Sequence, residues 1–141
     1  MANPDLGTIL TYFHQHDKTT ALLCHGPIAL LSATNNPGSY QRAMRNGDVA
    51  AAKSLSSDWP YHSYRMTIFS DDEEQQASKN VFHGEPQFLP ADALATAGGT
   101  VSVAATWHPN TVQDRELITG QNPFSDSAMM DLVLARLQSG K

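Results

Sequence analysis

Cys24 is the single cysteine in 141 residues, and it ends the apolar run Ala21-Leu22-Leu23 with His25, Gly26 and Pro27 directly after it. The thiolate is the reactive form of cysteine, and an imidazole next to it can move protons near neutral pH. Residues 24 and 25 are therefore a candidate nucleophile and proton carrier. The competing use of a lone cysteine is as a small buried apolar residue. Position separates the two. A cysteine between a strand and a helix is pushed out at the carboxyl edge of a sheet, where α/β proteins hold ligands, and a helix amino terminus favours the thiolate. Gly26 is expected to allow the tight turn this needs.

The flanking segments supply such elements. In NPDLGTILTYFHQH, Leu6, Ile9, Leu10 and Phe13 share one helical face, with Asn3 as cap and Pro4 in the first turn. TTALLC reads as a buried strand, and Pro27 opens a helix through IALLSAT. After Asn36-Pro37-Gly38, the stretch YQRAMRNGDVAAAKSLSSDW predicts two short helices, or a helix and a loop, interrupted at Gly47. Residues 64 to 69 predict a second strand, and DDEEQQASKN a helix whose acidic residues suit its start. FLPADALATAGG predicts a short helix ended by glycines, VSVAATW a third strand, and TVQDRELIT an edge segment turning near Asp114. An amphipathic helix is expected at the end of GQNPFSDSAMMDLVLARLQ. The pattern is mixed α/β, with a largely parallel sheet under helices. Three such strands make little core, so an incomplete domain is expected.

Composition narrows the function. The net charge is −5, and no basic block stands ready for phosphates, which argues against nucleic acid as the partner. One cysteine excludes a disulfide framework, and the six histidines are scattered without metal-ligand spacing. No apolar run approaches a membrane span and no basic, cleavable leader opens the chain, so a soluble, cytoplasmic setting is expected. His62, His83 and His108 are expected on the surface or in loops, while Trp59, Tyr61 and Trp107 are candidates for core or pocket wall.

ALLCHGPIALLSA, YRMTIFSDDEE, FLPADAL and LITGQNPFSD, in that order, resemble the DJ-1/PfpI superfamily, and within it the heat-shock-protein-31-like, glyoxalase III branch, also described as type 1 glutamine amidotransferase-like. The resemblance implies a flavodoxin-like three-layer α/β sandwich of which residues 1–141 form the C-terminal portion. It implies Cys24 as the nucleophile in an elbow and His25 as the catalytic histidine. The third member is implied to be a carboxylate after YRMTIFS, Glu74 in first place and Asp71 as the alternative. The simpler reading of Asp71, Asp72, Glu73 and Glu74 is a solvated helix start, expected to hold for at least two of the four. Asn122 and Pro123 are implied near the wall of the site, against the simpler reading of a turn capped by Ser125 or Asp126.

Members of that superfamily carry, ahead of the helix that opens this chain, a strand, a carboxylate that hydrogen-bonds the cysteine, and a glycine-rich loop with oxyanion contacts. The resemblance thus implies an amino-terminal segment as a second chain, or a homo-oligomer covering the same apolar surface. The implied reaction converts small 2-oxoaldehydes such as methylglyoxal to 2-hydroxy acids, with no cofactor or metal. An amidase or peptidase using the same cysteine is the alternative within the superfamily. A non-enzymatic redox-sensing or chaperone-like protein is the alternative outside enzymology.

Overall fold

The computed structural model describes residues 1–82, 84 and 86–140. Helix α1, Pro4–Gln15, starts as its sequence predicts: the Asn3 side chain accepts from the N–H groups of Asp5 and Leu6, and Pro4 occupies the first turn. Strand β1, Thr20–Leu23, follows. Gly26–Ala33 then winds as a 3-10 helix rather than an α-helix, with Leu30 and Leu31 fully buried. The expected pair of short helices is present as α2, Pro37–Arg45, and α3, Val49–Leu55, and Gly47 between them has φ +68°.

Strand β2 comprises only Arg65–Met66, and β3 only Thr100–Val101. Both expected strands, 64 to 69 and VSVAATW, are longer in the sequence reading than in the ladder. The reason is that side chains take over from backbone partners. Arg65 N–H donates to Asp114 Oδ2 at 2.8 Å, Thr67 N–H to Thr119 Oγ1 at 2.9 Å, and Ala104 N–H to Gln121 Oε1 at 2.8 Å. Thr67 and Ala104 thus lie beyond the ladder, while Arg65 stays in it and is bonded on its other edge.

TVQDRELIT becomes a hairpin, β4 (Thr111–Asp114) antiparallel to β5 (Leu117–Gly120). Strand β5 is central and wholly buried, correcting its expected edge position; β4 is the edge. The sheet order is β1-β5-β4, with β1 parallel to β5 from Thr20 opposite Leu117 to Leu23 opposite Gly120. Strands β2 and β3 pair separately and in parallel.

Helices α4 (Asp71–Ala77), α5 (Pro90–Thr96) and α6 (Asp126–Gln138) complete a mixed α/β fold, a sheet flanked by helices. A glycine with φ +100°, Gly98, follows α5 as expected. Helix α6 lies where predicted, but its apolar side chains do not gather on one buried face. Met129 is buried while Met130, Leu134 and Leu137 are exposed. Arg136 is buried instead, because its guanidinium reaches Asp17 Oδ1 at 2.6 Å and Thr19 Oγ1 at 3.1 Å.

The core holds large aromatic residues whose polar tips are satisfied, the condition for burying them. Trp59 Nε1 donates to the Leu30 carbonyl, Tyr40 to that of Ala93 and Tyr61 to that of Leu10. Trp59 and Tyr61 are thus core residues, whereas Trp107 is 40% exposed. His62 and His108 are exposed as expected, and His83 lies outside the described residues. Among the described residues no helix is long and apolar enough to cross a membrane.

Helix α1 packs on the 3-10 segment at Gly7, where a Cβ would overlap the Ser32 carbonyl. On an open helix, Gly to Ala gains about 1 kcal/mol from propensity. Here the helix must lift off its neighbour, an overpacking cost of about 1–3 kcal/mol. Gly7→Ala is predicted to be a net loss of stability in urea denaturation. A gain would mean that α1 does not sit this close.

Candidate active site

Strand β1 delivers Cys24 in the left-handed region, φ +60°, sparsely populated by residues other than glycine. Two hydrogen bonds hold the conformation from opposite sides. Cys24 N–H donates to the Gly120 carbonyl at 2.8 Å, and the Cys24 carbonyl accepts from Phe69 N–H at 3.0 Å. The turn is therefore stapled to the end of β5 and to the segment after β2. This corrects the expectation for Gly26. A Cβ there would meet only Leu22, at 3.4 Å, and the unusual backbone belongs to Cys24 itself.

Beside it, His25 Nδ1 lies 3.3 Å from Cys24 Sγ, while Nε2 lies 2.6 Å from Glu74 Oε2. The Phe69 ring packs against the imidazole with centroids 4.5 Å apart. The hydrogen bond with Cys24 is the largest influence on the imidazole; partial burial opposes it, and the Glu74 carboxylate adds to it. The result raises the His25 pKa from 6.5 to about 9. The geometry joins sulfur, imidazole and carboxylate in one line.

Glu74 reaches this position because α4 begins at a capping box, with Ser70 accepting from Glu73 N–H and the Glu73 carboxylate accepting from Ser70 N–H. Of the two carboxylates weighed from the sequence, Glu74 is the one hydrogen-bonded to His25. Among the described residues, Asp71 Oδ1 is buried without a hydrogen-bond partner. Its burial, then the charges of Asp92, Asp72 and Glu74, push its pKa above the usual carboxylate range. The expected solvated helix start holds for Asp72, which is exposed, but Glu73 and Glu74 are both buried.

Glu73 escaped the sequence reading as a site element. The Ser-x-x-Glu spacing from Ser70 marks a capping box. Its further partners come from remote segments: Trp107 N–H at 2.8 Å, Asn122 Nδ2 at 2.7 Å and Gln121 Nε2 at 3.0 Å. Burial raises the carboxyl, but the hydrogen bonds from Ser70, Trp107 and Asn122 outweigh it and hold the group below its ordinary range. Asn122 is fully buried, braced to Glu73 and to the His108 carbonyl, and it caps the 3-10 turn Pro123–Ser125; Pro123 is exposed. Ser125 occupies the N-cap position of α6, as expected, without a capping side-chain hydrogen bond, and Asn122 caps the 3-10 turn before it.

A histidine whose folded pKa is raised contributes stability that is complete below its unfolded value and is lost as pH rises through the folded value. For His25 that window runs from about 6.5 to about 9. The stability difference between the wild-type protein and His25→Gln is therefore predicted to be largest below the window and to shrink steadily across it. Urea titrations at a series of pH values measure this, and a difference that stays flat through the interval contradicts the ion pairing described.

No protein-family model matches the chain. It is 28% identical over 132 residues to the protein/nucleic acid deglycase HchA of Staphylococcus aureus strain JH9, and equally to that of strain Newman. The match covers 92% of this chain and 38% of the relative, so the chain spans about two fifths of the length of these curated relatives. Among solved structures it superposes on the protein APC35852 with a TM-score of 0.71 at 26% identity, covering 96% of this chain and 52% of that one. The Francisella tularensis Rapid Encystment Protein 24 KDa shares the fold, with a TM-score of 0.69 at 22% identity over 93% of this chain and 48% of that one. The flanked sheet is consistent with a flavodoxin-like sandwich. The sequence similarity to these deglycases and the shared fold support placing the chain in the DJ-1/PfpI superfamily.

Proposed function

We propose that Cys24, His25 and Glu74 form the reacting set of a cysteine-dependent enzyme of the glyoxalase III type, acting on small reactive carbonyl compounds, with 2-oxoaldehydes such as methylglyoxal as substrates. The observation that carries the reading is the continuous Cys24–His25–Glu74 contact, 3.3 Å and then 2.6 Å. The similarity to proteins named as deglycases adds support for carbonyl chemistry.

In this reading the Cys24 thiolate adds to the aldehyde carbon, forming a C–S bond and moving the carbonyl electron pair to oxygen. Protonated His25 gives that oxygen its proton, leaving a hemithioacetal and a neutral imidazole. The imidazole then removes the former aldehyde carbon's hydrogen as a proton, and the electrons flow into an enediolate. Return of that proton at the neighbouring carbon, with the hydroxyl proton passing from the first oxygen to the second, yields a thioester of the 2-hydroxy acid. Water hydrolyses it and frees the thiol. The net change is addition of one water, so no outside oxidant or reductant enters. A high imidazole pKa suits the first proton transfer, because the cation must be present before the alkoxide forms. Glu74 keeps the ring oriented and stabilises its charge, as the carboxylate of a triad does.

We further propose that residues 1–141 are the C-terminal portion of a single DJ-1/PfpI-like domain, completed by an amino-terminal segment or covered in a homo-oligomer. Strand β1 is an edge of its sheet, and exposed Ile9, Tyr12, Met130, Leu134 and Leu137 offer apolar surface to such a partner. Native mass spectrometry followed by denaturing mass measurement is expected to show more than one chain per particle. A stable single chain would argue against both forms of completion.

The chemical test is D-lactate formation from methylglyoxal by the intact protein. Cys24→Ala is expected to abolish it. Glu74→Gln is expected to lower kcat by about 10²–10⁴-fold, the range of a positioned acid–base system. Equal turnover by the Cys24→Ala variant removes the assignment, and release of amines from amide substrates in its place would favour a hydrolase.

A further inference from the structure

We propose that Glu73 is the positioning residue of this site, a buried carboxylate that holds Cys24, His25 and Glu74 in register by three separate routes. A glutamate in an ordinary capping box serves only its own helix start. Glu73 serves three segments at once, and each ends on a different member of the reacting set.

The first route runs through α4. Glu73 Oε2 accepts from both the N–H and the hydroxyl of Ser70 at 2.9 Å, which sets the first turn and with it the next residue, Glu74. The second runs through Trp107. This residue has φ +62°, an outlier for so bulky a side chain, and its N–H donates to Glu73 Oε1 at 2.8 Å. A second tie, indole Nε1 to Gln76 Oε1 at 2.8 Å, returns it to α4. The indole packs on Phe69 at 5.7 Å between centroids, and Phe69 packs on His25. The third route is the pair Gln121 and Asn122, whose amides donate at 3.0 and 2.7 Å. They directly follow Gly120, the residue whose carbonyl receives Cys24 N–H.

Among the described residues the five donors to Glu73 are all neutral, so its charge there is met by hydrogen bonds and not by a cation. A charged acceptor makes such bonds roughly twice as strong as neutral ones. An amide in its place would turn an NH₂ group toward donors and leave at least one of them unpaired. The cost would fall on all three routes together.

The role rests on the reading of Cys24, His25 and Glu74 as the reacting set, and its test needs no turnover. The imidazole of His25 is titrated by NMR in the wild-type protein, Glu73→Gln and Glu73→Asp, with circular dichroism as the check on folding. Glu73→Gln is expected to lower the His25 pKa by about one unit or more and to slow iodoacetamide alkylation of Cys24 at neutral pH by about tenfold. Glu73→Asp, which keeps the charge, is expected to recover part of both. A folded Glu73→Gln protein with an unmoved His25 titration overturns the proposal. Should that variant not fold, Gln121→Met removes one of the five donors and is expected to shift His25 in the same direction by less; no shift there also overturns it. A shifted His25 in a protein inert toward methylglyoxal sustains the positioning role and removes the carbonyl reading, and the reverse result separates them the other way.

Discussion

The site depends on a backbone conformation that only surrounding structure can hold. A non-glycine residue in the left-handed region is intrinsically unfavourable, of order 1–3 kcal/mol, and persists where neighbours over-determine it. At Cys24 those neighbours are two peptide groups, the Gly120 carbonyl on one side and the Phe69 N–H on the other. One belongs to the central strand and the other to the extended chain after β2. Both must be in place before the sulfur is presented to His25. The turn is thus a product of the assembled sheet and not of its local sequence.

Adjacent glutamates then divide the work. Glu74 faces His25 and contributes to keeping the imidazole protonated well above neutral pH. Glu73, one residue earlier, turns inward and takes its hydrogen bonds from Ser70, Trp107, Gln121 and Asn122. Neighbouring positions on a helix point about 100° apart, so one short helix can direct one carboxylate to His25 and another to the frame. The two differ in what they contact: a half-exposed cation for one, neutral buried amides and hydroxyls for the other.

Local signals made much of this legible. Asn3 and Pro4 mark the start of α1, Gly47 the break between α2 and α3, and Cys24-His25 the turn after an apolar strand. The acidic run reads as a helix start, and Ser70-x-x-Glu73 has capping-box spacing. What escaped was long-range. The 64 to 69 segment alternates like a strand, yet its donors are taken by Asp114 and Thr119 side chains some fifty residues away. The burial of β5 and the inward turn of Glu73 likewise depend on partners that periodicity cannot name. Arg136, a cation within the helix expected to be amphipathic, is buried because Asp17 and Thr19 come to meet it.

The ladder's interruption between β2 and β5 has a mechanical meaning. The strands form two plates, β1-β5-β4 and β2-β3, that meet at a crease, and the Thr67 N–H to Thr119 Oγ1 bond is one of the pins across it. A peptide ladder is insensitive to side-chain identity, but this pin is a single hydroxyl. Valine, nearly the same shape as threonine, would fill the volume at 119 and leave the Thr67 amide buried with no acceptor there, a loss of about 1–3 kcal/mol. Amide exchange at Thr67 would register the opened crease directly. The plates would still be folded and joined by their other ties, with one bond fewer fixing their angle and the aim of the cysteine carried on one of them.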